Sequence, residues 1–266
     1  MMNYETILTS LDDGILTITM NRPEKLNAWT YQMGDDLQDA VIKANENDEV
    51  EAIVLTGAGR GFCAGADIKD LFKDQVDSGE TGGSASGEPR DWVNLIRNSK
   101  PCVAAINGAA IGVGLTQVLS MDYLVASEHA KLSARFVKMG VVPELASSKF
   151  LVARMGFGNA SELMLSGKTI SGTEAEAIKL VDKVVPAADL LTTARDIAKS
   201  MGENPQAALR MVKQLITENM SEPNLLDVQK REGAALAVCY KSAEHHEAIN
   251  AFLEKRNPNF NSARKQ

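Results

Sequence analysis

Apolar residues along this chain fall into three kinds of pattern. The first is β-rich: Tyr4–Ser10 and Gly14–Met20 flank Asp12-Asp13-Gly14, a combination that favours a tight hairpin turn. The second has helical spacing. Met33, Leu37, Val41 and Ala44 recur every three or four residues, and Thr30 stands before them as an N-cap. Between these patterns Asn21-Arg22-Pro23-Glu24-Lys25 breaks the strand with a proline and exposes charge. The third is a short continuous apolar run, Ala52–Leu55 and again Cys102–Ile106, as expected of strands buried on both faces.

Each continuous run leads into a glycine-rich turn. Gly57, Gly59, Gly61 and Gly65 follow the first, and Asp67–Leu71 then reads as the opening of a helix. Asn107–Leu115, with Gly108, Gly112 and Gly114, follows the second and predicts a helix over Leu115–Met121. A strand, a glycine turn and a helix N-terminus leave backbone N–H groups converging on one spot, backed by the helix dipole. Such a turn can hold a phosphate, or an oxygen that becomes negative during a reaction. The phosphate motifs fail: no Gly-Lys-Ser/Thr follows, and Phe62 occupies the place of the third glycine in a G-x-G-x-x-G fingerprint. Two such turns side by side would each give one N–H to a single oxygen. Glycines that only let a helix pack closely on a strand account for the same residues.

Beyond Leu71 the pattern lapses. Asp77–Glu88 is rich in Gly, Ser and acid and reads as a loop within the domain, either a lid or a solvated segment. Asp91–Asn98 is a short helix, and Tyr123–Ala126 and Ala130–Ala134 are short strands. Gly140-Val141-Val142-Pro143-Glu144 leads into a helix ended by Gly156. Helices then dominate at Asn159–Leu165, Thr173–Leu180, Ala187–Met201, Gln206–Asn219, Asn224–Cys239 and Glu244–Lys255, with β character only around Val184–Val185. The fold class is therefore α/β with a helical tail that caps the core and builds subunit contacts.

Composition narrows the function. The chain has 266 residues, 44% of them hydrophobic, enough for one large core. A net charge of −7 argues against nucleic acid or an anionic membrane as partner. Cys63, Cys102 and Cys239 are scattered, as in a reducing cytoplasm, and the histidines are His129, His245 and His246. Without C-x-x-C or G-x-S-x-G, zinc and Ser-His-Asp chemistry are poorly supplied and no metal is expected. The first residues lack a signal-peptide pattern, and no apolar run of about 18 residues exists to span a membrane.

Four segments carry a resemblance: NRPEKLNA (Asn21–Ala28), LTGAGRGFCAGADIKD (Leu55–Asp70), PCVAAINGAAIGVG (Pro101–Gly114) and AFLEKRNPNF (Ala251–Phe260). In this order they resemble the enoyl-CoA hydratase/isomerase, or crotonase, superfamily over essentially the whole chain. The resemblance implies a spiral of ββα units in residues 1–200 with the acyl-CoA site. It implies a helical region in 201–266, assembled as a trimer or a pair of trimers. The substrate would be an acyl-CoA thioester whose carbonyl becomes an enolate held by two backbone amides. Those amides would be Ala66 and Val113, valine standing where a glycine is common. Around the CoA adenine the resemblance places Lys25, Leu26, Ala28, Ala64, Ala66, Asp67, Ile68 and Lys69. Phe252 and Lys255 would come from the C-terminal helix of the same or a neighbouring subunit, and Arg22, Lys25 and Lys255 would face CoA phosphates. No cofactor is implied beyond the coenzyme A of the substrate.

Within the superfamily the reaction depends on where acids and bases stand. The positions matching the two hydratase glutamates are Thr116 and Phe136, neither of which is a general base near pH 7. Glu144, flanked by Val141, Val142 and Leu145, is the remaining carboxylate. Burial would raise its pKa and a helix dipole would lower it. GVVPELASSKFLVARMG resembles Δ3,Δ2-enoyl-CoA isomerases, whose single glutamate lies in such a Pro-Glu turn; Asp67 would cap the helix behind the first turn. The alternatives are a weak hydratase, another crotonase-type lyase or isomerase, and a CoA-thioester-binding or RNA-binding scaffold without turnover.

Overall fold

The computed structural model describes residues 4–68 and 91–264; Lys69 and the loop Asp77–Glu88 lie outside them. Strand β1 (Ile7–Asp12) turns through Asp13 and Gly14, both with positive φ, into antiparallel β2 (Ile15–Met20). Helix α1 (Tyr31–Glu46) starts where expected, with the Thr30 side chain accepting from the Met33 N–H. It buries Met33, Leu37, Val41 and Ala44. Then comes β3 (Ala52–Gly57), which runs parallel to β2 and feeds β4 (Gly61–Cys63).

That step from a long strand to a short one is repeated. After α2 (Trp92–Arg97), β5 (Cys102–Ile106) passes to β6 (Ala109–Ile111), and α3 (Val113–Thr116) follows. Next β7 (Tyr123–Ser127) passes to β8 (Lys131–Ser133), a 3-10 turn at Arg135–Met139, and helix α4 (Ser147–Ser166). Gly156, at φ 75°, ends the first part of α4 as expected, but the second part continues directly across the kink. The long strands join a six-stranded sheet ordered β1-β2-β3-β5-β7-β10, where β10 is Lys183–Val185. The short ones form a second sheet, β4-β6-β8-β9, where β9 is Ile170–Ser171. The repeat thus occurs three times, each time placing one strand in each sheet, whereas the glycine pattern shows only two copies. Strands β4, β6 and β9 have two or three residues each and are hidden among glycines and small residues.

Both faces of the large sheet are covered, which is why β3 and β5 are continuously apolar. Ile53 and Leu55 of β3 face one core together with Cys102, Ala104 and Ile106 of β5. Ala52, Val54, Val103 and Ala105 face a second core closed by Leu190, Ala194 and Ala198. Each fully buried Ile, Leu or Val contributes about 1.5–3 kcal/mol, so this two-sided burial fixes strand register firmly. The covering residues belong to α6 (Leu190–Gly202), reached through α5 (Gly172–Ala177). Helix α6 is therefore a layer of the core rather than part of a cap. Four helices complete the described chain: α7 (Gln206–Asn219), α8 (Leu225–Cys239), α9 (Ala243–Glu254) and α10 (Phe260–Arg264). Among the described residues no helix is long and apolar enough to cross a membrane.

Candidate active site

Three stretches meet beyond the carboxyl ends of β3 and β5. Residues 26–29 run beside residues 64–67. The Ala64 N–H donates to Leu26 O at 3.1 Å, Trp29 N–H to Gly65 O at 2.8 Å, and Asp67 N–H to Trp29 O at 2.9 Å. In this parallel bridge Trp29 is paired with Ala66 through the residues on either side of Ala66, so the Ala66 N–H points away from 26–29. The third stretch is the turn into α3. That helix begins at Val113, two residues earlier than the sequence pattern predicts, so the Val113 amide is a first-turn N–H with no helical acceptor. Among the described residues no hydrogen bond takes up the N–H of Ala66 or Val113.

The two turns touch through their backbones. A side chain on Gly114 would begin 2.1 Å from the Cys63 carbonyl oxygen, and one on Gly65 would begin 3.2 Å from the Ile111 carbonyl oxygen. Gly65 also has φ +105°, which few L-residues adopt. Phe136 covers the second turn, its Cζ 3.9 Å from where a side chain on Gly112 would start. Behind the first turn Cys63 is fully buried, and desolvation pushes its thiol up to about 12. It is a packing residue, not a nucleophile.

Arg22, Asn27 and Asp67 brace this framework. Arg22 donates from Nη1 to Ala28 O at 2.6 Å and from Nη2 to Asp67 Oδ2 at 3.1 Å. The side-chain amide of Asn27, wholly buried, donates to Ala58 O at 2.9 Å and Gly61 O at 2.8 Å while its oxygen accepts from the Arg22 N–H at 2.8 Å. Leu26 and Asn27 sit consecutively in the left-handed region, at φ 51° and 55°, a conformation that costs on the order of 1–3 kcal/mol per non-glycine residue. Asp67 is thus the ion-pair partner of Arg22, where the sequence suggests a helix cap. Arg22 is engaged inside the chain, where the sequence suggests a free phosphate ligand.

Glu144 enters from the third repeat. It precedes α4 by three residues, and Leu145 and Ala146 after it are again left-handed, both at φ 53°. Its carboxylate reaches α3, with Thr116 Oγ1 3.5 Å from Glu144 Oε1. Atoms crowded around the carboxyl raise its pKa although the residue as a whole is exposed, and the Thr116 hydrogen bond opposes the rise. The net direction is upward, with desolvation outweighing the Thr116 hydrogen bond. Thr116 lies three residues after Val113, so the carboxylate contacts the same short helix that begins with the Val113 amide. Unengaged backbone N–H groups can hold an oxyanion, and a carboxylate with a raised pKa can move a proton.

The profile of the enoyl-CoA hydratase/isomerase family matches residues 10–264. The chain belongs to this family. It is 34% identical over 263 residues to the 1,2-epoxyphenylacetyl-CoA isomerase of Escherichia coli, covering 96% of this chain and 98% of the relative. It is 32% identical over 257 residues to the short-chain-enoyl-CoA hydratase of Clostridium acetobutylicum, covering 96% and 97%. The crystal structure of an enoyl-CoA hydratase from Polaromonas superposes with a TM-score of 0.84 at 29% identity, covering 95% and 98%. These likenesses establish an α/β fold of the crotonase type and an acyl-CoA enzyme; hydratases and an isomerase both occur among the relatives.

The remaining expected residues of this family member divide in two. Lys25 is exposed on a 3-10 turn, while Leu26, Ala28, Ala64 and Ala66 lie along the 26–29/64–67 ladder. Ile68 is 60% exposed just beyond it. Phe252 and Lys255 are not brought there. Within the chain their end of the molecule is anchored near the start of β3: Glu244 accepts from Gln206 N–H and Arg264, and Asn261 donates to Glu51. The free amides lie past the far end of β3, a strand about 20 Å long. Sequence reasoning missed Asn27 and the covering role of Phe136. Asn27 stands between Leu26 and Ala28 just after a charged Pro-Glu-Lys turn, where a buried amide is not anticipated.

Proposed function

We propose that this chain is a Δ3,Δ2-enoyl-CoA isomerase. The thioester carbonyl accepts hydrogen bonds from the Ala66 and Val113 amides. Glu144 removes a proton from C2 of a 3-enoyl thioester, the electron pair moves onto the carbonyl oxygen as an enolate, and Glu144 returns the proton at C4 as the double bond shifts to C2–C3. The observation that carries this reading is the carboxylate of Glu144, partly buried at its tip and hydrogen-bonded to the turn that bears Val113. A raised carboxyl pKa brings it nearer the working range of a base, and one base suffices because no water is consumed. Lys25, Leu26, Ala28, Ala64, Asp67, Ile68 and Lys69 border the adenine side of the coenzyme A. Phe252 and Lys255 complete it from a neighbouring subunit of a homotrimer or hexamer.

A second reading, hydration, is favoured by the names of relatives such as the Clostridium enzyme. It lacks a pair of carboxylates: Thr116 is an alcohol, and Phe136 lies over the turn with no proton to exchange. The test is to measure 3-enoyl-CoA isomerisation and crotonyl-CoA hydration on wild type and Glu144→Gln. Isomerisation falls roughly 10²–10⁴-fold in the variant, with thioester affinity little changed. Hydration is slow in both. Vigorous hydration by the wild type, or an unimpaired Glu144→Gln isomerase, sinks the assignment; tight thioester binding with no turnover marks a binding module.

A further inference from the structure

We infer that Thr116 is a positioning residue for Glu144, holding the carboxylate at a fixed distance from the Val113 amide. This rests on the reading of Glu144 as the base. Helix α3 is a single turn, with Val113 at its start and Thr116 at its end. Thr116 is 1% exposed, and its neighbours Leu115 and Val118 are fully buried, so its rotamer is set by packing. One rigid turn therefore carries both an amide for the developing oxyanion and a hydroxyl for the base.

Glu144 needs such a support. It hangs from a segment whose neighbours Val141 and Val142 are exposed, 42% and 81%, and which is followed by the two left-handed residues Leu145 and Ala146. Among the described residues the Thr116 hydroxyl is the only hydrogen-bond partner of the Glu144 carboxylate. At 3.5 Å the contact is long for an O–H···O bond, as catalytic hydrogen bonds often are before substrate closes a site. The bond commits Oε1 to Thr116 and leaves Oε2 to face the substrate carbons. It also selects for the ionised carboxylate, which a hydroxyl donor stabilises.

The test is the pH profile of kcat/KM for 3-enoyl-CoA turnover in wild type, Thr116→Val, Thr116→Ala and Thr116→Ser, with Glu144→Gln as control. Valine is nearly isosteric and keeps the packing; alanine removes the hydroxyl even if valine folds poorly. Losing the donor destabilises the carboxylate, so the acidic limb moves to higher pH by roughly half to one unit in both variants. On the plateau kcat falls roughly tenfold while KM stays near wild type, the mark of a misplaced base rather than weakened binding. Serine restores both. An inactive Glu144→Gln together with an unmoved acidic limb in Thr116→Val and Thr116→Ala overturns this inference alone, as does failure of serine to restore the profile. A fully active Glu144→Gln overturns the base assignment and this inference with it.

Discussion

A β-carbon on Gly114 would stand 2.1 Å from the carbonyl oxygen of Cys63, so the two glycine turns of the site are locked backbone against backbone. Contact this close transmits any added atom directly into the position of the free amides.

Gly114→Ala therefore has to push one turn away from the other. Overpacking of this kind costs about 1–3 kcal/mol. Displacing an oxyanion donor costs on the order of 10²-fold in rate. Gly65→Val strains a φ of +105° and should act in the same direction. Helix content by circular dichroism should stay near wild type while thioester turnover collapses. Normal turnover in either variant would remove the two-amide assignment.

Glu144 should trade stability for basicity. Its carboxyl pKa in the folded protein is raised above 4.5 by burial, so the folded state holds this proton to higher pH than the unfolded chain does. Below the unfolded value both states are protonated. As pH rises through the folded value the favourable contribution is lost, and at neutral pH the ionised, partly desolvated carboxylate is a cost. Glu144→Gln should melt higher than wild type at pH 7–8, with the gain shrinking toward zero below about pH 4.5. A variant less stable at pH 8 than at pH 4.5, relative to wild type, contradicts the sign.

Asp122 joins three elements at the other end of the sheet. Its carboxylate accepts from Arg97 Nη1 at 2.9 Å, Lys213 Nζ at 2.7 Å and the Cys102 N–H at 2.8 Å. Arg97 and Lys213 are both buried, so Asp122→Ala would strand two cations away from water. The expected loss is about 3–5 kcal/mol in urea unfolding. A loss under about 1 kcal/mol would show that water reaches these cations freely.

The C-terminal helices leave apolar side chains exposed within the chain. Helix α8 buries none of its residues within the chain, and Leu225, Phe252 and Leu253 are 73%, 82% and 72% exposed. A closed homotrimer or hexamer would cover them. Light scattering at micromolar concentration should give a mass of three or six chains; a monomer refutes the assembly and the neighbouring-subunit role of Phe252 and Lys255 together.

Local patterns were legible wherever one residue type has one physical use. Thr30 before a helical stripe is a cap, Asp13-Gly14 is a hairpin turn, and the continuous runs of β3 and β5 need cover on both faces. The second sheet was not legible. Strands as short as β9, Ile170–Ser171, have too few residues to show a period of two and exist only because neighbours supply their hydrogen bonds. The third repeat is likewise defined by pairing: β8 lies where the sequence predicts a strand, but only its register beside β6 places it in the second sheet.

By itself the sequence determined the α/β class and the two glycine turns, because glycine spacing and continuous apolar runs are properties of neighbours along the chain; it is the family resemblance that points to Ala66, Val113 and Glu144. Only the tertiary structure decided how these parts act on one another. Arg22, which the sequence offers as a charge beside a turn, is paired with Asp67, 45 residues away. Partial burial and the Thr116 hydrogen bond pull the Glu144 carboxyl pKa in opposite directions, and burial prevails. Such outcomes depend on distances and on exclusion of water, which arise when segments far apart in the chain are folded together.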